Sequence, residues 1–184
     1  MADYTVIADV GRSIMKLLGE QMTPEPIARP ELIGLCSPAE KGDVNLSIFL
    51  YNIRELGYLR QTELFGSGAT PPLAVELYYL FTAHSTAELQ MRAIDEHRIM
   101  GRLMQVMYDH AILRNSYLQG ALAGQREELR FVLHELPTED MSKLWTFPNT
   151  PYKLSVIYSV GPVYIDSRRD GAAPRVFQQE FGDI

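Results

Sequence analysis

The sequence predicts an α+β fold: a single domain with a mainly antiparallel sheet of 4–5 strands, two main helices packed on it and an extended C-terminal tail. Three observations predict it. Apolar residues alternate with period two over residues 44–54, 73–83, 128–135 and 152–165, the signature of strands. They recur at three- and four-residue spacing over residues 4–20 and from about 86 to 109, the signature of amphipathic helices. Strands come in hairpin-like pairs rather than in strict alternation with helices, which favours an antiparallel sheet with helices on one face. The domain is expected over residues 1–167 and the tail over 168–184.

The first helix, 4–20, carries Ile7, Val10, Ile14, Leu17 and Leu18 on one face; Asp3 or Thr5 can cap its start. Pro24, Pro26 and Pro30 then forbid a regular helix and predict a stiff connector, with a strand from about 31 to 36. In the strand 44–54, Val44, Leu46, Ile48 and Leu50 point one way, and Asn45, Ser47, Phe49, Tyr51 and Ile53 the other. A long connection, 56–72, leads to the strand 73–83, which should pair antiparallel with it. Ser85 and Glu88 have the spacing of a capping box before the second helix, whose stripe is Leu89, Ala93, Met100, Leu103, Met104 and Met107. Asp109-His110 and Ile112-Leu113 mark its exit, and residues 115–125 read as at most a helical turn, broken by Gly120 and Gly124. After the strand 128–135, Thr138 with Glu139 and Asp140 predicts a short helix to about 146. The last strand, 152–165, should bend or bulge near Gly161-Pro162.

Composition narrows the function. A chain of 184 residues that is 46% hydrophobic and 22% charged is an ordinary globular domain with a real core, not a disordered or collagen-like chain. The net charge of −6 and the lack of a basic stripe argue against duplex nucleic acid. Cys36 is the only cysteine, so no intrachain disulfide and no Cys-rich zinc site is possible. The start lacks the basic and apolar regions of a signal peptide, and the longest apolar stretches, 46–51 and 73–81, are far short of a membrane span. A cytoplasmic protein with no membrane insertion is expected.

No catalytic, cofactor or metal constellation emerges. Gly66-Ser67-Gly68 lacks the spacing of a nucleophile elbow or dinucleotide fingerprint and reads as a loop tip. His84, His97, His110 and His134 contain no pair at the i, i+4 spacing of a helical zinc site, and His97 reads as a hydrogen-bonded core or interface residue. Glu127-Glu128 and Glu139-Asp140 are adjacent in sequence, so their carboxylates do not converge. Met91, Met100, Met104 and Met107 read as core packing ahead of an adaptable binding surface. Trp145 and Phe147 cover the end of the sheet or anchor an interface. Val176, Phe177 and Phe181, scattered in a polar tail, imply docking onto a neighbour or back onto the domain.

Several segments, taken in order, resemble the tail-terminator, or tube-cap, family of contractile injection systems. They are YTVIADVGRSIMKLL at 4–18, NLSIFLYNIR at 45–54, PLAVELYYLFTAH at 72–84, MGRLMQVMYDH at 100–110, EDMSKLWTF at 139–147 and PYKLSVIYSVGPVYIDS at 151–167. The resemblance covers residues 4 to 167, and none of the segments is a catalytic fingerprint. Ala111 stands where a proline is common in the family, in the turn after the long helix. The chain stops soon after residue 167, which reads as a short form without an outer decoration.

The resemblance implies a structural protein rather than an enzyme. It implies a homo-oligomeric ring, expected as a hexamer, that ends the inner tube far from the baseplate and holds the last sheath layer. The partners implied are the chain itself, the inner tube protein and the sheath protein, in a phage-tail-like particle. On that reading, Tyr58 and Phe65 in the 56–72 connection meet neighbouring subunits or the tube, Trp145 is an interface anchor, and Val176, Phe177 and Phe181 in 168–184 reach the sheath or an adjacent subunit. A closed ring has heterologous contacts that end on closure, and a tail can add a strand to an open sheet edge. The alternative of the same kind is a baseplate or adaptor module. A pocket enzyme built on His84, His134 or Ser67 is the other rival, and it requires those groups to converge.

Overall fold

The computed structural model describes residues 3–60, 71–123, 128–147 and 150–168. In order, the elements are α1 (Val6–Gln21), β1 (Ile33–Leu35), β2 (Leu46–Glu55), β3 (Leu73–Ala83), α2 (Leu89–Asp109), β4 (Ile112–Leu113), β5 (Leu129–Leu133), α3 (Thr138–Leu144) and β6 (Ser155–Ile165). One sheet takes up the six strands in the order β1-β2-β3-β6-β5-β4. The β1–β2 pair is parallel and the other four are antiparallel.

The sheet is therefore six-stranded and mixed, not an antiparallel sheet of 4–5 strands. β4 is the strand beyond the expected count, and β1, expected near residues 31–36, pairs parallel rather than antiparallel. β1 has three residues and β4 has two, too few for an alternating pattern. Pairing with a neighbour, not their own periodicity, makes them strands. β1 is parallel because the chain loops back through residues 36–45 before β2 begins, setting Ile33 beside Leu46.

Both faces of the sheet are covered. On the first, Val6, Val10, Ile14, Leu17 and Leu18 of α1 and Ile99, Leu103 and Met107 of α2 pack with Leu46, Ile48, Leu77, Tyr79, Phe81, Tyr158 and Val160. On the second, Tyr78, Leu80 and Ile157 lie under Met141 and Leu144 of α3, joined by Phe49, Trp145 and Phe147. The short helix thus occupies the face opposite the two long ones. Strand alternation places apolar residues on both sides of β2, β3 and β6, so both sides require cover.

Two bulges set the phase of the sheet. β6 carries one extra residue between Val160 and Val163 opposite β3, at the predicted Gly161-Pro162 position. β2 carries another between Leu50 and Asn52. Beyond it the alternation flips. Ile53 stands opposite Leu77, whose side chain lies on the first face, and not with Phe49 and Tyr51 as strict alternation implies.

The start of α2 also departs from expectation. The helix begins at Leu89, and the Ser85 hydroxyl accepts the Ala87 amide at 3.0 Å in a local turn. The Ser85 amide donates to Glu96, not Glu88, so no capping box forms. None of residues 89–98 is buried, Leu89 is 79% exposed, and His97 is on the surface rather than in the core. Of the methionines, Met100 and Met107 are buried while Met91 and Met104 are exposed. No helix among the described residues is long and apolar enough to cross a membrane.

Candidate functional site

Among the described residues, an apolar groove of about 560 Å³ lies between the first half of α1 and the outer side of β2. Ile48, Leu50 and Tyr79 form its floor, and Tyr4, Ile7, Ala8 and Gly11 supply the α1 wall. Leu35, Cys36, Ser37 and Glu40 close one end. Small residues on α1 let the far wall come close: a Cβ on Gly11 would lie 2.9 Å from the Leu35 Cδ1 atom. Glu40 is the only charged lining residue among the described ones. The Cys36 thiol is pushed up by burial and by Glu40, with Lys41 opposing, so it stays protonated at neutral pH.

The groove exists because β1 stops early. After Cys36 donates its amide to Ile48, Ser37 caps a 3-10 turn at Pro38–Glu40, accepting the Ala39 amide at 3.1 Å. Pro38 has no amide hydrogen to continue a ladder. β2 runs on without β1, and among the described residues no strand pairs with the outer side of residues 49–54. An open sheet edge beside an apolar trough is a ready template for an added strand.

The expected interface residues fall in different places. Tyr58 lies on the 3-10 turn Gly57–Arg60 beyond β2 and is 69% exposed. Trp145 follows α3 on the second face, where its Nε1 donates to the Thr150 carbonyl at 3.2 Å and its ring meets Phe147 and Tyr152 edge-on or tilted. Phe65, Val176, Phe177 and Phe181 lie outside the described residues. The groove itself was not foreseen. Its signal in the sequence is the small-residue run Ala8 and Gly11 on an otherwise apolar helix, together with Pro38 cutting β1 short.

Among the described residues, the two histidines of the rival pocket, His84 and His134, do not converge. His84 is buried, with Nε2 2.9 Å from the Ser47 hydroxyl. Burial and the nearby Lys153 and Lys41 charges, opposed by Glu96, push its pKa down to about 4, so the ring is neutral at physiological pH. Ser47 is itself fully buried and offers no approach to a substrate. His134 sits two strands away, edge-on to Tyr78, with its amide on the Ile157 carbonyl. Ser67 lies outside the described residues. Beside His84, Lys153 and Glu96 form an ion pair at 2.7 Å, and Thr82 and Ser155 share a hydrogen bond at 2.8 Å. Ser47, Thr82 and Ser155 lie in one row across β2, β3 and β6, and apart from the unpartnered His84 Nδ1 these polar groups pair with one another, a structural arrangement.

A family model described as the Pvc16 N-terminal domain matches residues 9–179. No curated protein matches the chain. Among solved structures, the chain is similar to the sheath/tube terminator of an extracellular contractile injection system, PVC, determined by cryo-EM in the extended state. The TM-score is 0.59 at 21% identity, over 100% of this chain and 65% of that one. The likeness is one of fold, and the chain spans just under two thirds of the terminator's length.

Proposed function

The chain belongs to the family of the Pvc16 N-terminal domain, and from that premise we propose that it terminates the tube and sheath of a contractile injection system. The observation that carries the proposal is the likeness of fold, along the whole chain, to a protein described as a sheath/tube terminator. In this reading, copies of the chain close into a ring of about six subunits, a number taken from the family resemblance and consistent with cyclic, heterologous closure. The ring sits on the inner tube at the end away from the baseplate and anchors the last sheath layer. Its partners are a second copy, the inner tube protein and the sheath protein.

Large apolar residues are assigned to those contacts, among which Tyr58 is 69% exposed and Trp145 is half-buried on the second face. Tyr58 and Phe65 belong to the connection after β2, Trp145 to the second face, and Val176, Phe177 and Phe181 to residues 168–184. Aromatic anchors of this kind dominate interface energetics. No catalytic group, cofactor or nucleic acid enters the proposal.

Labelled protein located on assembled particles tests it. Label at the end distal to the baseplate is expected. Label at the baseplate end would overturn the terminator assignment and favour an adaptor module. Native mass with negative-stain images of the purified protein should give a ring of about six subunits, alone or after addition of purified tube. Normal sheath retention by particles carrying a chain without residues 170–184 would remove the tail from the proposal.

A further inference from the structure

We propose that in the unassembled chain residues 169–184 fold back into the chain's own α1–β2 groove, adding a strand beside β2 with Phe177 and Phe181 on the apolar floor. The first support is where the described chain ends. Arg168 donates to both carboxylate oxygens of Asp3, at 3.1 and 3.2 Å, and its guanidinium lies 5.5 Å from the centre of the Tyr4 ring. Tyr4 lines the groove. The last described residue therefore delivers the following segment to the groove mouth.

The second support is the match between the segment and the trough. The groove is apolar, and residues 49–54 of β2 present an outer edge with no described strand beside it. An extended segment placed there continues the line of β1, and every second side chain faces the floor. In an extended run, Phe177, Gln179 and Phe181 share one side. The segment has nine residues from Arg168 to Phe177, a reach of up to ~30 Å at ~3.3 Å per residue, ample for a site that begins beside Arg168. A tether this short gives an effective concentration of order mM, which favours the chain's own segment over that of a second copy.

This inference concerns the isolated protein and does not rest on the terminator assignment. It adds that the segment assigned above to sheath or neighbour contacts is held in reserve until assembly.

Cys36, the only cysteine, lines the groove and reports on it directly. Alkylation of Cys36 by a maleimide should be about tenfold faster in a chain ending at Arg168 than in the full chain. A full-length chain with Phe177→Asp and Phe181→Asp should match the truncated one, with the fold of each checked by circular dichroism. Equal rates in all three would overturn the proposal. In the full chain carrying Phe177→Cys, mild oxidation should join Cys36 to the new cysteine within one chain, read as a monomeric disulfide by mass spectrometry. A disulfide that forms only between chains, or protection of Cys36 that disappears on dilution, would place a second copy in the groove and overturn the own-chain assignment.

Discussion

The Asp9 carboxylate and Gly120 meet where α1 crosses the turn after β4: Asp9 Oδ2 accepts the Ala121 amide at 2.9 Å, and the backbone passes over the carboxylate at Gly120, whose φ of +58° lies in the left-handed region. One turn along α1, the Ser13 hydroxyl donates to the Asp9 carbonyl at 2.7 Å and accepts the Gln119 amide at 2.9 Å. Two polar residues on the buried side of an apolar helix thus satisfy two amides of a loop some 110 residues later in sequence.

Replacing Gly120 by alanine should destabilise the protein by about 1–3 kcal/mol, since the left-handed region disfavours a side chain and the new Cβ would overlap the Asp9 carboxylate. Asp9→Ala should cost a similar ~1–3 kcal/mol by leaving the Ala121 amide buried without its acceptor. The two costs should not add, because removing the carboxylate removes the overlap. Urea unfolding of the two single variants and the double variant measures this. A Gly120→Ala cost that is unchanged in the Asp9→Ala background would show that the strain is in the backbone alone.

Arg102 joins the two long helices. Its Nε and one terminal nitrogen donate to the Gln21 carbonyl, at 3.1 and 2.8 Å, at the C-terminal end of α1, where a positive charge is favoured. Arg102→Ala should lower stability by about 1–2 kcal/mol, and Arg102→Lys should recover only part of it, because an ammonium cannot reproduce the paired donors of a guanidinium. Thermal unfolding of both variants decides; full recovery with lysine would reduce the contact to charge alone.

The long elements were legible in the sequence because their patterns are local. α1, β3 and the bulge at Gly161-Pro162 stand where periodicity and a glycine-proline pair put them. What was not legible depends on partners distant in the chain. β4, read as a helix exit, is a strand only through β5, and β1, expected near residues 31–36, runs parallel to β2 because of a loop, not a pattern. The bulge at Tyr51 reverses the facing of Ile53 with no glycine or proline to announce it. The exposed first half of α2 misled the same way: Leu89 and Ala93 fit a helical stripe, but the sheet ends before it reaches them. The groove is a gap between elements, and no single segment encodes a gap.

Trp145 separates folding from assembly. Trp145→Ala should cost about 2–4 kcal/mol of stability through lost packing against Phe147 and Tyr152. Trp145→Phe should keep most of that packing and lose only the Nε1 hydrogen bond to Thr150, about 1 kcal/mol. If Trp145 is also an interface anchor, the phenylalanine variant should fold normally yet bind tube ends more weakly. Unchanged tube-end binding by a stable Trp145→Phe protein would confine the residue to the second face of the sheet.

His84 should make stability fall in mild acid. Its ring is buried against Ser47, and Nδ1 has no hydrogen-bond partner among the described residues. Burial first, then the charges of Lys153 and Lys41, bring its pKa from 6.5 to about 4, with Glu96 pulling the other way. The unfolded chain therefore takes up a proton on this histidine below about pH 6.5, and the folded chain only near pH 4. The contribution is complete above pH 6.5 and is lost progressively as pH falls toward 4, to a total of about 3 kcal/mol. Carboxylates complicate the lower part of that window. Burial pulls Glu96 upward, but hydrogen bonds from Lys153 and the Ser85 amide outweigh it and hold its carboxyl below the usual value, so its own contribution is lost only in stronger acid. The upper part of the window, from about pH 6.5 to 5, therefore isolates the histidine. His84→Gln preserves a hydrogen-bonding group toward Ser47 and removes the titration, so its stability should be flat where the parent's slopes. Denaturant midpoints at half-unit pH steps read the difference, and a parental slope retained by His84→Gln would assign the proton to another group.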